Sequence, residues 1–135
     1  MANWLLKTEP SVYSYEALER DKKTVWDGVA NNLALIHLRS MAPGDRAFIY
    51  HTDEERAAVG IAQITSKPYP DPNHSDPKLV VVDIKSVRKL KSPVTLSAMK
   101  ANPKLEGFEL FRNSRLSVVP VTDAQWTEIL AMSDR

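Results

Sequence analysis

Prolines cut this chain before any one element can grow long. Pro10 closes a short apolar opening segment, Pro43 sits in the break Ala42-Pro43-Gly44-Asp45, four prolines fall between Pro68 and Pro77, and Pro103 and Pro120 interrupt the last third. A proline lacks a main-chain donor and has a fixed φ, so it stops helices and is kept out of central strands. Between the breaks lie short segments whose apolar spacing switches between the periods of strand and helix.

Trp4-Leu5-Leu6-Lys7 reads as a buried first strand ended by Thr8-Glu9-Pro10. Ser14 is placed to cap a short helix running through Asp21. From Asn31 to Met41 the residues Ala34, Leu38 and Met41, with Leu35 beside them, mark one helical face. Arg46–His51 and Ala58–Ile64 form a hairpin across the charged tip Asp53-Glu54-Glu55-Arg56. Pro68–Pro77 is expected to be an irregular loop that resists both helix and sheet. Leu79–Leu90 is the longest strand candidate, with Val80, Val82 and Ile84 on one side of the pleat and Asp83 and Lys85 on the other. Thr95 should cap a helix through Ala101, and Leu116–Val119 is expected to form a late strand before Pro120. Thr122 and Gln125 have the spacing of a capping box, ahead of a buried stripe of Trp126, Ile129 and Leu130. Strands mixed irregularly with short helices predict an α+β fold built on a compact, mixed β-barrel surrounded by short helices.

A length of 135 residues suits one domain, residues 1–135, and 43% apolar with 26% charged residues is the composition of a chain that folds unaided. The absence of cysteine excludes disulfides, thiolate metal ligands and a thiol nucleophile. No apolar run approaches the roughly 20 residues of a membrane span, and the opening MANWLLKTEP lacks a signal-peptide pattern. An intracellular protein with no membrane partner is expected, cytoplasmic if bacterial and nuclear if eukaryotic.

Enzyme signatures are scarce. His37, His51 and His74 are far apart, no His-Glu-x-x-His pair or nucleophile elbow occurs, and the glycines, at 28, 44, 60 and 107, assemble no phosphate loop. The reading is therefore of no catalytic residues, no metal and no cofactor. His51 with Asp27 is the one acid–base pair worth testing, and structural hydrogen bonding is the commoner role for such residues. The formal net charge of +1 conceals a local imbalance: from Lys78 to Arg115 there are nine basic side chains against three acidic ones. Such a stretch is either a solvated surface or a track for a phosphate backbone, and the second case predicts steep salt dependence.

What remains is a set of aromatic and small polar residues at turns: Trp26-Asp27-Gly28-Val29, Tyr50-His51-Thr52 and Tyr69-Pro70-Asp71. An aromatic face stacks on a base for about 1–3 kcal/mol while nearby amides and hydroxyls read its edge. For each aromatic alone, a place in the core with its polar tip bonded is the commoner fate.

Taken together, these blocks carry a family resemblance. Trp4-Leu5-Leu6-Lys7-Thr8-Glu9-Pro10, Trp26-Asp27-Gly28-Val29, Tyr50-His51, Tyr69-Pro70-Asp71-Pro72 and Arg115-Leu116-Ser117-Val118 occur in the order seen in EVE domains, and the likeness extends to Val87-Arg88-Lys89-Leu90 and the Trp126 helix. The chain resembles this family along nearly its whole length. The resemblance implies a PUA-like barrel related to the YTH readers of methylated adenine, with a pocket for a flipped, modified base in nucleic acid, often a cytosine derivative, and no catalysis. Carried over by position, it implies Trp26 as the stacking residue. Lys7, Thr8, Asp27, Val29, Asn31, Tyr50, His51 and Thr52 would form the wall and hydrogen-bonding edge, with Arg112, Arg115 and Ser117 in the closing block.

In one place the chain departs from the family pattern. After Trp26-Asp27-Gly28-Val29 the family continues Arg-Asn-Tyr-Gln-Ala-Arg-Asn, whereas this chain reads Ala30-Asn31-Asn32-Leu33-Ala34-Leu35-Ile36. Two arginines and a tyrosine are gone, and with them charge-assisted contacts worth about 1.5–3 kcal/mol each if those side chains grip a ligand. This motivates an alternative reading: a small-molecule or protein-partner module that keeps the pocket without the nucleic-acid grip. An apolar patch exposed on the Asn31–Met41 helix would favour the alternative, and a basic rim around Trp26 would favour the base reader.

Overall fold

The computed structural model describes residues 1–135. Its elements, in chain order, are β1 (Asn3–Thr8), α1 (Tyr15–Asp21), β2 (Lys23–Trp26), α2 (Asn32–Arg39), β3 (Arg46–His51), β4 (Ala57–Ile64), β5 (Tyr69–Pro70), β6 (Val80–Thr95), α3 (Leu96–Lys100), a 3-10 turn at Pro103–Leu105, α4 (Glu109–Arg112), β7 (Val118–Val121) and α5 (Asp123–Asp134). The seven strands form one mixed sheet in the order β2-β6-β4-β3-β1-β7, with the short β5 also on β6.

β1 lies between β3 and β7 near one end of the sheet. It runs parallel to β3, pairing Leu5 with Phe48 and Lys7 with Tyr50, and antiparallel to β7, pairing Leu5 with Val119. β4 continues the sheet from β3 as the other arm of the hairpin, and β6 joins β4 to β2. Register shifts at Ile49/Tyr50, Ala58/Gly60 and Ile61/Ala62 bend the sheet, because each extra residue on one strand kinks it and sharpens the local twist. The two ends of the ladder, β2 and β7, are not bonded to each other. α2 packs on both β7 and β6 and spans that gap with Ala34, Leu35 and Leu38 buried. The result is the PUA-like α+β fold. Its core joins residues from every layer, including Leu5, Phe48, Val82, Ile84 and Ile129.

The helix caps expected at Ser14, Thr95 and Thr122 form, and Asn31, which the resemblance assigned to the pocket, caps α2 instead. Ser14, Asn31 and Thr95 each accept a hydrogen bond from a main-chain N–H of the first turn, and Thr122 and Gln125 close a full capping box. Trp126 of that last helix stacks on Phe48 with centroids 3.9 Å apart, and the Arg46 guanidinium lies 4.4 Å above its ring.

The strands depart from expectation where prolines occur. β6 does not stop at Leu90 but runs through Pro93 to Thr95, because the register on β4 jumps from Gly60↔Lys89 to Ala58↔Val94 and the intervening residues bulge out of the ladder. β7 is shifted to Val118–Val121 and includes Pro120, which an edge strand tolerates because its outer side has no partner to serve. Tyr69 and Pro70, expected to be loop, form the two-residue strand β5 on Val81 and Val80. β2 has no counterpart among the sequence-predicted strands. Gly60 is set by packing rather than by φ: the Tyr15 ring occupies the space a Cβ would need. No helix is long and apolar enough to cross a membrane.

Candidate functional site

Trp26 ends β2 opposite Val82, and the chain then leaves the sheet through Asp27 and Gly28. Gly28 takes a φ of +77°, a left-handed conformation that side chains disfavour, and so turns the strand end sharply toward α2. On the other side of the opening, β1 ends at Thr8 and the Glu9–Tyr13 loop folds back over it. The Thr8 Oγ1 hydroxyl donates to the Tyr13 carbonyl at 2.7 Å, and the Val12 and Tyr13 N–H groups both donate to the Glu9 carbonyl at 2.9 Å. These bonds bring Tyr13 to Trp26, edge to face at 75° with centroids 6.5 Å apart.

Between these two strand ends opens a cavity of about 530 Å³, well within the usual range for ligand sites of about 300–1,000 Å³. A base sandwiched between two rings needs roughly 7 Å, two contact distances of about 3.5 Å each, and parallel walls. The Tyr13–Trp26 pair meets neither condition. It forms a corner, where a flat ligand stacks on one ring and meets the edge of the other. Trp26 is only 8% exposed and belongs to the core cluster, so it is a wall of the cavity and a structural residue at once.

The polar groups around the corner are sparse and largely unclaimed. The Asp27 carboxylate has no hydrogen-bond or ion-pair partner, and Gly28 and Val29 make no main-chain hydrogen bonds. Ser117 and Thr24 also line the cavity. Val12 and Val25 supply an apolar rim, 76% and 44% exposed respectively. Lys7 is the one cation. Its ammonium donates to the Ser114 carbonyl at 3.0 Å and meets no carboxylate, and burial pulls its pKa below the usual 10.5.

Of the residues singled out from the sequence, the structure brings together Lys7, Thr8, Trp26, Asp27, Val29 and Ser117 around this cavity. Tyr50 and Thr52 line a second cleft of about 320 Å³, which shares Lys7 with the first. Asn31, His51, Arg112 and Arg115 line neither. Asn31 Oδ1 caps α2 by accepting from the Ala34 N–H at 3.0 Å, and Arg112 is paired with Glu109 at 3.0 Å. His51 is buried and held at both ring nitrogens: Nε2 accepts from the Tyr15 N–H at 3.0 Å, and Nδ1 meets Glu55 Oε1 at 2.7 Å. An Nε2 acceptor requires the proton on Nδ1, so the ring is fixed in one tautomer by the fold and has no nitrogen to offer to Asp27.

Tyr13, Glu9, Val12, Thr24 and Val25 line the cavity without having been singled out in the sequence. Tyr13 could have been flagged as an aromatic three residues beyond the Thr8-Glu9-Pro10 stop, but only loop closure reveals that it faces Trp26. The basic stretch is dispersed. Lys89 pairs with Glu16 and Glu19, Lys104 with Glu128, and Arg112 with Glu109, while Lys100 alone of the nine lines either cleft.

The PUA-like α+β sheet defines the class, and the comparisons define the family. The EVE domain model matches residues 2–132, and the chain belongs to the EVE domain family. Its relatives include a Rhodopseudomonas palustris protein with an NMR structure, 45% identical, with a TM-score of 0.94 covering 99% of this chain and 94% of that one. Thymocyte nuclear protein 1 of Homo sapiens is 29% identical over 99% of this chain and 75% of its own length. The human THYN1 protein, solved in complex with 5-methylcytosine-containing DNA, superposes with a TM-score of 0.91 at 29% identity, covering 100% of this chain and 99% of that one.

Proposed function

We propose that residues 1–135 act as a single, non-catalytic EVE reader domain that takes a modified nucleobase, a 5-modified cytosine in DNA or RNA, into the Trp26–Tyr13 corner. The observation that carries this reading is the convergence of an aromatic corner, an unpaired carboxylate and unbonded main-chain groups in one cavity of base size. The human relative bound to 5-methylcytosine-containing DNA supports the choice of base.

The chemistry of cytosine fits these groups. Its exocyclic amine needs an acceptor, which Asp27 offers, and a carboxylate accepting from that amine is a favoured pairing. Its ring nitrogen and carbonyl need donors, and the N–H groups of Gly28 and Val29 and the Ser117 hydroxyl are available. A substituent at C5 needs an apolar neighbour, which Val12, Val25 or Val29 supplies. Stacking contributes about 1–3 kcal/mol, while extracting a base from a duplex costs a few kcal/mol, so unpaired or bulged bases should bind better than fully paired ones.

The alternative, a small-molecule or protein-partner module, draws support from α2, where Leu33 and Ile36 are 40% and 55% exposed on one face, and from the cavity lining, where two carboxylates, Glu9 and Asp27, outnumber the one cation. The test is titration of single strands carrying cytosine, 5-methylcytosine or 5-hydroxymethylcytosine, followed by amide chemical shifts. The reader assignment expects tighter binding of a modified strand, with shifts concentrated at Thr8, Tyr13, Asp27, Gly28 and Ser117. Equal affinity for all three strands, or shifts centred on Leu33 and Ile36, would refute it in favour of the alternative.

A further inference from the structure

The second cleft is where the cations omitted from the Trp26 cavity are found. It opens beside that cavity, across Lys7, and has a floor of Tyr50, Leu96, Leu110 and Phe111. Phe111 is held in place by an edge-to-face contact with Phe108, centroids 5.4 Å apart at 69°. Arg56 and Lys100 stand on its rim with Lys7, and none of the three forms an ion pair. Arg56 Nε donates to the Asp53 carbonyl at 3.1 Å, which leaves both terminal amino groups of its guanidinium free. Its main chain is fixed by the Leu96 N–H, which donates to the Arg56 carbonyl at 2.8 Å. Asp53 is the only carboxylate lining the cleft. Glu54 borders an adjoining depression, and Glu55 is held by His51.

We propose that this cleft holds the next nucleotide of the strand whose modified base enters the Trp26 corner, with the phosphates on either side of it against Lys7, Arg56 and Lys100. Resting on the reader assignment, the proposal makes Lys7 the junction between two adjacent nucleotide subsites. Three unpaired cations above an aromatic and aliphatic floor suit a group that is anionic along one edge and flat or apolar along the other. A nucleotide has that character. A lone phosphate would leave the floor uncovered, and an apolar ligand would leave the cations without a partner. The half-buried Lys7 ammonium, which burial disfavours and no carboxylate compensates, gains most from an approaching phosphate. Arg56 and Lys100 are both exposed, so their replacement leaves the core intact.

The experiment compares wild type with Arg56→Gln/Lys100→Gln and with the single variant Lys100→Glu, after urea unfolding has verified that all are folded. The probes are free 5-methyl-2′-deoxycytidine, a tetranucleotide containing 5-methylcytosine, and the same tetranucleotide unmodified, each titrated across a salt series. For single strands each neutralised phosphate contributes about 0.7 to the slope of log K against log salt, so the double variant should lower that slope by about 1.4 for both strands and weaken low-salt binding roughly tenfold or more. Its affinity for the free nucleoside should equal that of wild type. An unchanged slope and affinity for the strands would overturn the second subsite, as would a wild type that binds the tetranucleotides no better than the nucleoside. The reader assignment fails separately. If modified and unmodified strands bind equally, base reading is lost, and the unmodified strand still decides whether Arg56 and Lys100 hold the backbone.

Discussion

Replacing Trp26 should produce two separable losses, because the ring belongs both to the core and to the cavity wall. It is 8% exposed, within the same apolar cluster as Val82 and Leu35. Truncation of so buried a ring costs about 3–5 kcal/mol, a large part of the roughly 5–15 kcal/mol that keeps a domain folded. Trp26→Ala is therefore a poor probe of binding by itself. Trp26→Leu fills more of the space without offering a π-face, and Trp26→Phe keeps a smaller face. The stacking contribution of about 1–3 kcal/mol corresponds to roughly 5- to 150-fold in affinity. Urea unfolding should rank stability as wild type, then Phe and Leu, then Ala. Titration of a 5-methylcytosine strand, under conditions where each variant is at least nine-tenths folded, should give near-native binding for Phe and a loss of about that size for Leu. A folded Trp26→Leu that binds the strand as tightly as wild type would refute the stacking role and leave Trp26 as a core residue alone.

Other perturbations test the fold around the site. Gly60→Ala should destabilise by about 1–3 kcal/mol, read from the urea midpoint, because the Tyr15 ring against it is fully buried and tied by its hydroxyl to the Ile61 carbonyl at 2.7 Å. An unchanged midpoint would contradict that packing. His51→Ala strands the Tyr15 N–H in the interior and should cost about 1–3 kcal/mol of stability while leaving the affinity of the folded protein for any strand intact. A selective loss of binding would restore His51 to the site. Above pH 10 stability should fall. Burial pushes the Tyr15 phenol up to about 12, the hydrogen bond to Asp83 does the same for Tyr69, and Tyr13 and Tyr50 are raised by burial from the ordinary value of 10.0. An unfolded chain releases those protons near pH 10 while the native state keeps them, so the tyrosine contribution is complete below pH 10 and is lost between pH 10 and about 12. Phenolate absorbance that rises near pH 10 while the circular dichroism stays native would show the reasoning to be wrong.

Local chemistry was legible in the sequence, and long-range pairing was less so. Ser14, Thr95 and the Thr122–Gln125 box cap their helices as their types and spacing predict, since a cap is decided within four residues. β2 was invisible because Lys23-Thr24-Val25-Trp26 has no alternation of its own and becomes a strand only by pairing with β6. The prolines at 70, 93 and 120 misled for a related reason: edges and bulges leave donors unpaired, and only the partner strand reveals where those places are. At the cavity, the family blocks led to Lys7, Thr8, Trp26, Asp27, Val29 and Ser117, all at or next to strand ends. Tyr13 arrives there by loop closure, and Arg56 and Phe111 reach the neighbouring cleft from the hairpin tip and from α4.

The position of β1 also bears on how the protein is made. Its two neighbours are β3, which comes after α1, β2 and α2, and β7, which follows every other strand in chain order. Until β7 arrives, the edge of Asn3–Leu6 is an apolar strand with unpaired main-chain groups, the kind of surface that recruits other chains. Lys7 likewise lacks the Ser117 carbonyl that accepts its main-chain N–H and the Ser114 carbonyl that holds its ammonium. Nascent chains stalled short of Val118 should therefore be prone to aggregate, and Lys7 should be fixed at the cavity only once β7 has been made.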